Sequence, residues 1–170
     1  AKEPLPVLYN SWEATGFNVH SKGQQKLAKM AADIGCELFV MDDGWFGSRW
    51  NDNAGLGDWQ VNKVKFPFGL KPLIDKVTSL GMKFGLWFEP ESVNPDSDLY
   101  RAHPDWAMTD GLSPLYGRHQ LLLDLTRPEV RDYIVENVSN VLDSANISYV
   151  KWDMNRHSVA LGEIAFDYIL

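Results

Sequence analysis

Three times along this chain a helix stop is followed by a short apolar strand and then by a carboxylate. The segments "IGCELFVMDD" (34–43), "LGMKFGLWFE" (80–89) and "ANISYVKWD" (145–153) share that plan, with the acid seven or eight residues past the Gly or Asn stop. Helical apolar spacing precedes each strand: Leu27, Met30, Ala31 and Ile34; then Leu70, Leu73, Ile74 and Val77; then Val130, Tyr133 and Ile134, continued by Val138, Val141 and Leu142. "SKGQ" at Ser21 and "TRPE" at Thr126 predict capping boxes, the second with Pro128 in the first turn. A first strand over 7–12 and a last helix over 161–170 complete a β-α-β-α-β-α-β-α order.

That alternation predicts a parallel sheet with right-handed crossovers, and in such sheets the site lies at the carboxyl ends of the strands. The repeat puts its acids there. An open doubly wound sheet is the rival architecture, but no Gly-rich phosphate loop follows the first strand. Two connections, 46–68 and 90–120, are long enough to build a site, and "HQLLLDLTRP" in and after the second is read as a short extra strand leading into the third helix. Four β/α units are half of an eight-unit barrel. The fold class expected is therefore α/β, the first half of a (β/α)8 TIM barrel, with residues 1–170 as one incomplete domain. A half barrel exposes two sheet edges and its inner face, so it is expected to pair with the missing half or with another copy of itself.

Net charge of −7, a pI near 5.0 and the lack of a basic run argue against a nucleic-acid partner. No apolar run reaches membrane-spanning length. A single cysteine, Cys36, rules out an internal disulfide and fits a reducing compartment, so a cytoplasmic location is expected. No signal peptide is visible and the chain begins at Ala1 without methionine, which suggests a piece of something longer.

The chemistry gathers in "NSWE" (10–13), "MDDGW" (41–45), "LWFEPE" (86–91) and "KWDMN" (151–155), each mixing acids with tryptophan. Carboxylates accept sugar hydroxyls, and an indole face covers the apolar face of a pyranose, so a carbohydrate is the expected ligand. Strand alternation puts Lys151, Asp153 and Asn155 on one face. A neighbouring lysine favours an ionised aspartate, which a glycosidase nucleophile must be. The plain alternative is a structural Lys151–Asp153 ion pair. Asp42 and Asp43 both reach one site only if the chain turns after them, and Gly44 permits that; the alternative is that Asp43 caps a turn. No metal-ligand spacing accompanies them, so neither a metal nor another cofactor is expected. Trp87 is read as a wall of the site. Glu89 and Glu91 are either site acids or loop-shaping acceptors, and Trp12, Trp45 and Trp152 are open between site and core. Cys36 is expected to be buried and inert.

These residues resemble a known family. "YNSWEA", "DDGWFGSR", "GDWQVNKVKFPFGL", "FGLWFEPESVNPDSDLYRAHPDW", "LDLTRPEVRDY" and "VKWDMNR" are together similar to the glycoside hydrolase family 36 α-galactosidases, over roughly 9–157. The resemblance implies a (β/α)8 barrel that hydrolyses terminal α-galactosides with retention by two aspartates. It implies Asp153 as nucleophile. It implies that Asp42, Asp43, Lys151, Asn155 and Arg118 hold the sugar against Trp87. The family's general acid/base lies on a later strand and has no match here. The family's flanking β domains are also unmatched, its members are commonly homo-oligomers, and "NRHSVALGEIAFDYIL" is shorter around 158–162 than the family pattern. Three other readings stay open: a half-barrel assembly module without activity, a sugar-binding module without chemistry, and a related α-N-acetylgalactosaminidase or transglycosylase.

Overall fold

The computed structural model describes residues 4–109, 111 and 113–156. Four parallel strands form the main sheet: β1 (Leu8–Asn10), β2 (Leu38–Met41), β3 (Lys83–Phe88) and β7 (Tyr149–Trp152). Their spatial order is β1-β2-β3-β7. The crossovers are made by α2 (Ser21–Asp33), α3 (Lys71–Ser79) and α5 (Pro128–Asp143), after a single turn of helix, α1 (Trp12–Thr15). This is the expected parallel α/β arrangement of part of a barrel. Between β3 and α5 the chain adds a second, antiparallel sheet of β4 (Ser92–Val93), β6 (Gln120–Leu122) and β5 (Tyr116–Gly117), along with α4 (Asp98–Ala102). β6 is the extra strand anticipated in "HQLLLDLTRP". The helix expected over 161–170 and the junction at 158–162 lie outside the described residues.

The core follows from the period of two. Phe39, Met41, Phe84, Leu86 and Phe88 point to the helix side and pack with Ala28, Ala31, Leu73, Ile74 and Val77. Tyr9, Phe39 and Phe84 stack in sequence across three strands, with centroids 4.9 and 6.3 Å apart. Phe39 and Phe84 are fully buried, and burial of that kind stabilises the fold by about 1.5–3 kcal/mol for each side chain. The alternate set, Asn10, Asp42, Trp87, Lys151 and Asp153, faces the other way. The sheet therefore separates a helix-covered core from a polar inner face.

The apolar faces of α3 and α5 are as expected: Leu73, Ile74 and Val77, then Val130, Ile134, Val138 and Val141, are all buried. On α2 the stripe is rotated. Gln24, Ala28 and Ala31 are buried, whereas Met30 is 62% exposed and Ile34, beyond the helix end, is 79% exposed. Small alanines let the helix sit close to the sheet, and the large side chains turn outward. Neither expected capping box forms. His20 caps α2, its Nδ1 accepting from the Gly23 N–H at 3.2 Å, and a Cβ on Gly23 would lie 2.8 Å from that ring. At α5, Arg127 precedes the helix without a side-chain cap and Thr126 donates instead to Asp124 Oδ1 at 2.6 Å; Pro128 does occupy the first turn. The first strand stops at Asn10, not at 12, because the Asn10 side chain accepts from the Trp12 N–H at 2.8 Å and starts α1.

Candidate active site

At the carboxyl ends of the parallel strands lies a cavity of about 360 Å³. β2 delivers Asp42 and Asp43 to it, β3 delivers Trp87 and Glu89, and β7 delivers Lys151, Asp153 and Asn155. The long connections add Arg49 and Asp52 from one side and Arg118 and Gln120 from the other, and Trp12 and Phe17 close the rim. All seven residues singled out from sequence line this one cavity.

Asp42 and Asp43 belong to opposite strand faces, and Gly44 brings both to the site. Its φ of +106° belongs to the glycine region, and a Cβ there would lie 2.8 Å from the Phe17 carbonyl oxygen. Asp42 Oδ2 accepts from Lys151 Nζ at 2.7 Å and from Asn10 Nδ2 at 2.6 Å. The ion pair considered between Lys151 and Asp153 is therefore corrected: Lys151 reaches across the sheet to Asp42. Asp43 is gripped by Arg49, whose Nε and Nη2 approach its oxygens at 2.8–3.1 Å. Burial pushes the Asp43 carboxyl above the usual aspartate range, against the hydrogen bonds and charge of Arg49.

Asp153 receives three donors. Trp87 Nε1 donates to Oδ2 at 2.9 Å, Asn155 Nδ2 donates to Oδ2 at 2.8 Å, and the Met154 N–H donates to Oδ1 at 3.0 Å. Burial raises its pKa, but these donors and the nearby Lys151 charge outweigh it, and the carboxyl is held below the ordinary range. It is therefore ionised at neutral pH. Its distal oxygens and the indole of Trp87 face the same hollow. Trp87 is itself 1% exposed, braced by Phe46 lying parallel at 6.0 Å, with its carbonyl accepting from Trp45 Nε1 at 2.9 Å.

The open tryptophans separate. Trp45 is core, Trp12 is at the cavity rim, and Trp152 turns outward with its Nε1 on Glu91 at 3.0 Å. Glu91 thus serves the loop. Glu89 belongs to the site: it is 1% exposed and accepts from Asn155 N, Asn155 Nδ2 and Gln120 Nε2 at 2.8, 3.0 and 2.7 Å. Cys36 is half-buried. Phe17, Asp52 and Gln120 line the cavity without having been anticipated from sequence, and two residues that build it, Arg49 and Lys65, were not anticipated either. Arg49 is buried in an aromatic, Gly-rich loop, and an arginine in such surroundings was the available signal. Lys65 is 5% exposed and donates to the Phe17, Gly44 and Arg49 carbonyls at 2.8, 2.6 and 2.8 Å, pinning the turn that presents the two aspartates.

This geometry has parallels among known proteins. The family model for melibiase matches residues 1–168. The bifunctional alpha-galactosidase/sucrose kinase AgaSK of Mediterraneibacter gnavus is 54% identical over 168 residues, which is 97% of this chain and 18% of that protein. The solved galactosidase domain of AgaSK superposes with a TM-score of 0.89 at 52% identity, covering 99% of this chain and 24% of that one. A variant of the GH36 alpha-galactosidase AgaA from Geobacillus stearothermophilus, solved with raffinose, gives a TM-score of 0.87 at 52% identity over 91% of this chain and 22% of that one. The chain spans about a fifth of the length of the curated relatives it matches. It belongs to the melibiase family.

Proposed function

We propose that this chain supplies the nucleophile side of a retaining α-galactosidase site that acts on terminal α-galactosyl residues of raffinose-type sugars. The observation that carries this reading is the Asp153 carboxylate, held ionised by Trp87, Asn155 and Lys151 at the edge of a hydrogen-bonding cavity. A cavity of about 360 Å³ suits one pyranose with ordered water. In the proposed reaction Asp153 attacks the anomeric carbon, the glycosidic bond breaks, and a covalent galactosyl ester forms. Asp42, Asp43, Lys151, Asn155 and Arg118 hold the ring hydroxyls, and Trp87 lies against the apolar face. The general acid that protonates the leaving oxygen, and later activates water, comes from a segment outside this chain and would stand about 5 Å from Asp153. Residues 1–170 are accordingly proposed as the N-terminal half of a catalytic barrel, completed by its missing half or by another copy.

The experiment is labelling with an activated galactosyl inhibitor whose leaving group departs without protonation, followed by peptide mapping. A galactosyl ester on Asp153, lost in Asp153→Asn, is expected. A label on another carboxylate overturns the assignment. Hydrolysis of a nitrophenyl α-galactoside by the 170 residues alone is expected to be very weak, since the missing residue is also the base that activates water to release the galactosyl ester, a role worth about 10²–10⁴-fold.

A second reading, an assembly module, is favoured by the apolar side chains at both sheet edges: Val7 and Leu8 beside β1, and Tyr149, Trp152 and Met154 along β7 are all exposed. A strict monomer in solution would argue against it.

A further inference from the structure

The two long connections that wall the cavity meet on one side chain. Asn94, immediately after β4, is fully buried and lies outside the cavity lining. Its Oδ1 accepts from Arg49 Nη1 and from the Leu56 N–H, both at 2.9 Å. Its Nδ2 donates to the Asp52 carbonyl at 3.0 Å and to the His119 carbonyl at 2.7 Å. One amide thus spends two acceptor and two donor positions on the loop that carries Arg49 and on the hairpin that carries Arg118. No residue type other than Asn or Gln offers both halves of that pattern, and Gln is a methylene too long for a site with no exposure.

The hairpin end of this bridge works against backbone preference. Gly117 pairs with Gln120, so Arg118 and His119 form a two-residue loop, with φ of +50° and +61°. Positive φ at both central positions is the type I′ pattern, which favours Asn and Gly there. An ordinary L-residue is disfavoured in that region by contact of its Cβ with the following carbonyl oxygen. Such strain persists where the surroundings over-determine it, and it concentrates at functional sites. Here the His119 carbonyl is held by Asn94, while Arg156 Nη1 donates to the Leu115 and Gln120 carbonyls. The result presents the exposed Arg118 at the cavity that Asp43 and Arg49 also line.

We infer that Asn94 is a positioning residue of the sugar site, acting through the Arg118–His119 turn. It rests on the galactoside reading of the cavity. Asn94→Asp is the discriminating change. It keeps the acceptor for Arg49 and Leu56 but sets a carboxylate oxygen against the Asp52 and His119 carbonyls. The acceptor contacts to Arg49 and Leu56 are kept, while the contacts to the Asp52 and His119 carbonyls are released.

The test is a double-mutant cycle read by galactose titration on tryptophan fluorescence, with thermal unfolding to establish that each variant is folded. Asn94→Asp and Arg118→Ala are each expected to weaken galactose binding about tenfold, the worth of one charge-assisted hydrogen bond. The pair together is expected to cost about the same tenfold, since both remove one contact. His119→Gly tolerates positive φ without help, so it should restore most of the affinity lost in Asn94→Asp. Should Asn94→Asp not fold, Asn94→Ser carries the same cycle. Losses that multiply to about a hundredfold, together with no rescue by His119→Gly, overturn the inference while leaving the site reading intact. Galactose binding that is undetectable, or indifferent to Asp42→Ala, overturns both.

Discussion

Lys151 Nζ lies 2.7 Å from Asp42 Oδ2, 109 residues away, and its hydrogen bond goes there and not to Asp153 two positions along its own strand. The lysine therefore acts on two carboxylates in different ways. It pairs with Asp42 directly and biases Asp153 toward the ionised form through space. Lys151→Met would leave Asp42, which is 3% exposed, with Asn10 as its remaining side-chain donor. Since Lys151 is about one-third exposed, the stability loss should be modest, about 1–2 kcal/mol in urea unfolding. On the proposed function, galactose affinity should fall about tenfold or more, since a charged donor is lost from the proposed sugar site. Unchanged affinity would remove Lys151 from the binding set.

Trp87 tests the proposed nucleophile, Asp153, without touching its carboxylate. Trp87→Phe keeps a ring against the site but deletes the N–H that reaches Asp153 at 2.9 Å. That hydrogen bond lowers the Asp153 pKa, so its loss raises it. The acid limb of covalent labelling should move to higher pH. The stability that Asp153 contributes is present above the ordinary aspartate range and is lost as pH falls from there through the depressed folded value; in Trp87→Phe that contribution should be smaller and its loss complete at a higher pH. Labelling rates across pH and acid unfolding curves measure the two effects independently.

Arg49 separates charge from geometry. Arg49→Met leaves Asp43 buried and unpaired, which should cost about 3–5 kcal/mol of stability. Arg49→Lys should recover only part of this, because an ammonium cannot reproduce the paired contacts of Nε and Nη2 on one carboxylate. Equal stability of the lysine variant and the unsubstituted chain would contradict the clamp.

Lys65 makes a prediction at alkaline pH. Burial lowers its pKa to about 8, against the pull of the Asp43 charge. Between that value and the ordinary lysine range the unfolded chain binds more protons than the folded one. Stability should therefore rise as pH goes from about 8 toward 10. Lys65→Met should lose that rise while being less stable near neutrality, where three carbonyls have lost their donor. Urea midpoints at several pH values settle it; a flat profile in the unsubstituted chain would be the contrary result.

Much of the framework was legible residue by residue. The stop–strand–acid repeat marked β2, β3 and β7, and the spacing of Leu73, Ile74 and Val77 marked the buried face of α3. The same logic misjudged α2, because Met30 and Ile34 satisfy a helical period whichever way the helix is rolled. Close approach to the sheet selected the alanine side. Both capping boxes were misplaced for a related reason: several polar residues at a helix start compete for the same N–H groups, and only His20, with Gly23 making room for its ring, could be seated at α2.

Sequence by itself determined that Lys151, Asp153 and Asn155 share a face, because the pleat of a strand alternates side chains whatever surrounds it. It also determined that acids and indoles arrive at the strand ends together. Only the tertiary structure decided who holds whom: Lys151 on Asp42, Arg49 on Asp43, Glu89 on Asn155, and Asn94 between two loops. Those partnerships depend on strand register and on the paths of the long connections. Side-chain alternation is a property of neighbouring dihedral angles, whereas a contact across 25 to 109 residues exists only once the whole sheet has closed its loops.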